Sequence, residues 1–195
     1  NDTWTLKGLA PMTGYAGGGR PRLVYDPISG DVIQAYAATP DLNPDLSRVH
    51  PDIWSYDVET DTWTPVAAVG ISAGVLLAYD PAVDRLVAYD IESYGAGMRL
   101  ADLRDGTWAE PAAPTPDIRI NWILAGTEVT YDESSRRTVI FNLGRMIAYD
   151  AVADAWSTIV EEPTSPGWPA CLGPRCRAFA TTIYDPVNGR LVVYG

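Results

Sequence analysis

Histidine, cysteine, lysine and phenylalanine are all scarce in this chain: its 195 residues hold one His, two Cys, one Lys and two Phe. A single histidine and two thiols cannot furnish the four ligands of a structural zinc site, so neither a metal nor a cofactor is expected. Positive charge is equally thin. The 14 basic side chains face 25 acidic ones, a net charge of -11, and no basic run interrupts the balance. That composition argues against nucleic acid as a partner. No apolar stretch approaches the roughly 20 residues that cross a bilayer, and no segment reads as a signal peptide. No sustained helical stripe is present either. What remains is 47% hydrophobic and 10% aromatic, too rich in core-forming side chains for a disordered chain.

The aromatic residues are periodic. A tyrosine, an aspartate, a turn and a strand recur at Tyr25, Tyr79, Tyr131 and Tyr184, with intervals of 54, 52 and 53 residues. Between these copies a second string recurs, running from Ile53 to Trp63, from Met98 to Trp108 and from Met146 to Trp156. Each string reads as two short strands around a tight turn. The aspartate after each tyrosine can accept hydrogen bonds from the turn that it enters, and Pro27, Pro81 and Pro186 fix φ at the next position. Asn188-Gly189 supplies residues that tolerate positive φ. One unit is thus four antiparallel strands, the fourth starting near the tryptophan. Trp63, Trp108 and Trp156, with Tyr56 and Tyr149, are expected to fill space between neighbouring units. A four-stranded sheet of this size cannot bury both faces alone, so the units must stack.

The stretches Thr181 to Gly195 and Asp52 to Val66 carry the clearest copies of the two strings, and with them the chain resembles the kelch repeat over nearly its whole length. The resemblance implies an all-β, kelch-type β-propeller with four-stranded antiparallel blades. The diglycine of that pattern is replaced by Ala37-Ala38, Asp90-Ile91 and Asn142-Leu143. The expected organisation is one partial propeller domain over 1–195. Its parts are an outer strand of a preceding blade at 1–10, blades at 22–67, 74–112 and 126–160, and the inner two strands of a further blade at 179–195. The ends lack about one strand between them, which suggests a piece of a larger propeller. The alternatives are a closed four-bladed ring and a second copy joining at the open edge.

Loop lengths then point to a functional face. Two of the four connections vary freely in length and would emerge together on one rim of a propeller, where binding groups are commonly carried. The longest loop between second and third strands holds Asp41, Asp45, Arg48 and His50. The links between units hold Arg119, Trp122, Trp168 and Arg175. Aromatic rings beside arginine and carboxylate suit a protein or glycan partner. Cys171 and Cys176 enclose a short loop; a disulfide there would imply an extracellular or periplasmic protein, with free thiols as the alternative.

No nucleophile elbow, phosphate loop or dinucleotide fingerprint is present. The repeated carboxylates Asp26, Asp57, Asp80, Asp132, Asp150 and Asp185 stand at equivalent turn positions, which favours capping over acid–base chemistry. The expectation is therefore a non-catalytic binding or scaffold module acting through variable loops on the propeller rim. The alternative is part of a carbohydrate-active enzyme whose remaining catalytic groups lie elsewhere.

Overall fold

Seven tight turns organise the described part of the molecule, and all are built in the same way. In the computed structural model the described residues are 22–35, 53–67, 75–90, 97–116, 127–142, 145–160 and 181–194. Within them every turn opens on an aspartate whose Oδ1 accepts the amide of the second residue onward. The acceptors are Asp26, Asp57, Asp80, Asp102, Asp132, Asp150 and Asp185, at 2.8–3.1 Å. Such an Asx contact fixes the turn without needing any tertiary partner. Four residues after each aspartate the chain passes through the left-handed region, at Gly30, Asp61, Asp84, Gly106, Arg136, Asp154 and Gly189. Aspartate tolerates that conformation better than most side chains. Three of these aspartates are also held from behind. The Tyr56 hydroxyl donates to Asp61 at 2.6 Å, Tyr149 to Asp154 at 2.7 Å, and Tyr79 to Asp84.

The turns join fourteen strands. The first sheet contains β1 (Arg22–Tyr25), β2 (Val32–Ala35), β3 (Ile53–Asp57) and β4 (Thr62–Ala67). The second contains β5 (Val75–Asp80), β6 (Arg85–Asp90), β7 (Gly97–Ala101) and β8 (Trp108–Ala109). The third contains β9 (Thr127–Asp132), β10 (Arg137–Asn142), β11 (Arg145–Asp150) and β12 (Ala155–Val160). A hairpin follows, made of β13 (Thr181–Asp185) and β14 (Arg190–Tyr194). Each sheet is an antiparallel meander in chain order, so strands β1, β5, β9 and β13 each pair on one side only.

Burial patterns tell how many faces of each strand are covered. β5 is buried at all six positions because the second sheet is packed on both sides. One face sends Leu77, Leu86, Ala88 and Ala101 against Ile33, Ala35 and Ile53 of the first sheet. The other sends Leu76, Val87, Tyr89 and Met98 against Val129, Ile140, Ile147 and Tyr149 of the third. Trp108 packs against the first of these clusters and Trp156 against the second. The link after β8 is fastened to the third sheet, where Asp154 accepts the Ala112 amide at 3.0 Å and Trp156 Nε1 donates to the Ala113 carbonyl at 3.4 Å.

The propeller implied by the kelch resemblance is not what forms. Among the described residues there are three separate four-stranded sheets and a two-stranded hairpin, and none closes into a barrel or ring. In a closed ring every sheet face would be covered. Here Leu23 and Tyr25 on one face of β1 are 63% and 58% exposed, and Ile183 and Tyr194 of the hairpin are 57% and 82% exposed. The physical reason is that Asx turns and short-range strand pairing are local. They fix each sheet, whereas closure depends on the angle between sheets, which the repeat does not specify. The expected segments of the chain at 1–10 and in the long connections lie outside the described residues.

Candidate ligand cavity

The one-sided strands β1, β5, β9 and β13 line an open cavity of about 520 Å³. Its lining is unusual in one respect: it includes runs of consecutive residues. Arg22 to Tyr25, Leu76 to Tyr79, Glu128 to Tyr131 and Thr182 to Tyr184 all reach it. A strand that showed the cavity one face would contribute alternate residues. Consecutive residues mean that the strands are seen edge-on, at the edge opposite their single ladder partner. Each such edge presents backbone N–H and C=O groups outside the sheet ladder. The wall is therefore a set of neutral donors and acceptors held by the sheets.

Side chains add charge and rings at the two ends. At one end Arg22 of β1 lies 3.7 Å from Glu128 of β9, with their side chains 34% and 22% exposed. β5 contacts both β1 and β9, and the pair links the first sheet to the third. Partial exposure makes such a pair a weak contributor to stability, and its value lies in where it holds two charges. At the other end stand Tyr25, Tyr79, Tyr131 and Tyr184, followed by Pro27, Pro81, Glu133 and Pro186. Burial pushes the Tyr79 hydroxyl well above the usual phenol range, assisted by its hydrogen bond to Asp84 and by Asp26 of the first sheet. Burial likewise raises Tyr131, with Asp80 of the second sheet adding to the effect. Both hydroxyls stay neutral at any physiological pH. Thr182, 7% exposed, completes the wall; its hydroxyl, closed off from solvent, has no hydrogen-bond partner among the described residues.

The perturbed carboxylates are those of the turns. The Thr60 hydroxyl lowers Asp57, and the Asn188 side chain lowers Asp185. Asp132 is pulled up by burial but lowered overall by the hydroxyls and amides of Ser134 and Ser135. Asp80 is the exception: burial raises it, and its Oδ2 has no hydrogen-bond partner. Among the described residues no group of three or more histidine, cysteine or carboxylate side chains is placed to hold a metal ion. No described helix is long and apolar enough to cross a membrane.

The residues expected to bind a partner, Asp41, Asp45, Arg48, His50, Arg119, Trp122, Trp168 and Arg175, lie outside the described residues, as do Cys171 and Cys176. The rim that was to carry them is corrected with the fold, since no ring of blades exists to give the variable loops a common face. The cavity residues were overlooked because most of them belong to the repeat itself. A signal was nonetheless present in the departures from it. Arg22 and Glu128 stand three residues before the repeat tyrosine, where Leu76 and Thr181 stand in the other copies. Glu133 stands where the others have proline. No protein-family model matches the chain, and no curated protein matches it significantly. The kelch assignment therefore has no support from either comparison.

Proposed function

We propose that this chain is a non-catalytic binding module that takes a small polar ligand in the cavity among β1, β5, β9 and β13. The observation that carries this reading is the edge-on lining, which gathers rows of backbone hydrogen-bonding groups around one space. The volume falls within the roughly 300–1,000 Å³ of ordinary ligand sites. The chemistry favours binding over turnover, because the turn carboxylates act on their own turn amides, and Tyr79 and Tyr131 are kept protonated.

A ligand-observed NMR screen of small polar fragments tests the reading. Hits are expected with the wild-type chain and should vanish in Thr130→Phe, which fills the cavity from β9, provided that the variant keeps its thermal midpoint. Hits that survive the filled cavity, or a screen without hits, would overturn it.

A further inference from the structure

Resting on the cavity as the binding site, we infer that its ligand is an uncharged, polyhydroxylated molecule of the saccharide class. Two features select it. The free edges of the first strands offer donors and acceptors in alternation, and a hydroxyl is a group that serves both with one atom. The Arg22–Glu128 pair repeats that duality with side chains, since a guanidinium only donates and a carboxylate only accepts. Two neighbouring hydroxyls match it, one accepting from Arg22 and the other donating to Glu128.

Charge and shape disfavour the other classes. The charged lining is one arginine with two glutamates, so an anion enters a site of net negative formal charge. A cation would have to compete with Arg22, which already stands 3.7 Å from Glu128. An extended peptide pairing with the β1 or β9 edge would meet the Arg22–Glu128 pair, which joins those two strands. The tyrosine end supplies the aromatic carbon against which the C–H surface of a sugar ring packs.

The experiment is calorimetric titration with five probes: methyl α-D-glucopyranoside, methyl β-D-galactopyranoside, D-glucuronate, ethanolamine and N-acetyl-tetraalanine amide. Saturable binding of at least one uncharged pyranoside, tighter than the charged probes and the peptide, is the expected result. That affinity should fall about tenfold or more in Arg22→Met and in Glu128→Gln, with folding checked by circular dichroism. If Arg22→Met does not fold, Glu128→Gln carries the comparison. Tighter binding of glucuronate, ethanolamine or the peptide would overturn the saccharide assignment and leave the cavity reading standing. Absence of binding by every probe would also overturn it, while the cavity itself stands or falls with the fragment screen and Thr130→Phe. Pyranoside binding indifferent to all of the substitutions would refute the assigned contacts.

Discussion

Gly30 isolates the backbone cost of the repeated turn. Its φ is 83°, and a Cβ built there would meet no atom within 4 Å. Gly30→Ala therefore introduces no clash and removes no side-chain contact, while the Gly30 amide can still donate to the Asp26 carbonyl at 2.9 Å. What remains is the penalty for an L-residue in the left-handed region, about 1 kcal/mol, with 1–2 as the usual range. For a domain of this length each kcal/mol moves the thermal midpoint by roughly 2–4 °C. Differential scanning calorimetry of Gly30→Ala should show a fall of that size. Gly189 provides the second half of the test. A Cβ at Gly189 would lie 3.9 Å from the Tyr184 hydroxyl, the relation that lets Tyr56 and Tyr149 donate to Asp61 and Asp154. Gly189→Ala should cost about as much as Gly30→Ala, whereas Gly189→Asp should recover part of the loss through a new hydrogen bond, typically about 1 kcal/mol. An unchanged or raised midpoint in Gly30→Ala would refute the backbone argument. Equal losses for Ala and Asp at Gly189 would refute the tyrosine contact.

Acid should weaken the turns within a defined window. Asp57, Asp132 and Asp185 have carboxyls held below the unfolded value of 3.8, so their contribution is present above that pH and is lost as pH falls through their lower folded values. Carboxylate NMR titration should show the Asp57 midpoint rising towards 3.8 in Thr60→Val, which removes the hydroxyl 2.7 Å from Oδ2; an unmoved midpoint would contradict the stated cause. Asp80 should behave in the opposite sense. Its folded carboxyl is raised by burial, so the ionised form opposes folding as pH climbs through 3.8 and up to the folded value, and the penalty is complete above it. Asp80→Asn retains an acceptor for the Ala82 amide at 2.9 Å and should hold or raise the thermal midpoint at pH 7, an advantage that shrinks in acid. A marked loss at pH 7 would count against it.

The sequence made the local structure legible because local chemistry writes it. Tyr-Asp followed by a residue fit for positive φ specifies a turn, and the strands on either side pair through it. Asp102 was the capping residue that escaped notice, since Ala101 replaces the tyrosine before it. The fourth strand begins at its tryptophan as the pattern suggests, but β8 stops after Ala109, where Glu110 and Pro111 follow and proline has no amide for the ladder. The arrangement of the sheets was not legible. A period states how long a unit is and says nothing about the angle at which two units meet. The cavity was hidden for a related reason: the residues that line it edge-on belong to the same repeated strings as residues that pack a core, and the signal lay in Arg22, Glu128 and Glu133, where the copies differ.

The two-sided packing of β5 also governs how freely this chain can vary. A substitution at Leu76 or Leu77 is judged by a neighbouring sheet whichever way the side chain points, so drift there requires matching change in a partner. Val187 and Tyr194 answer to solvent and can change alone. Copies of one ancestral unit placed in such unequal surroundings would diverge fastest at the ends of the stack, and their likeness would fade there first.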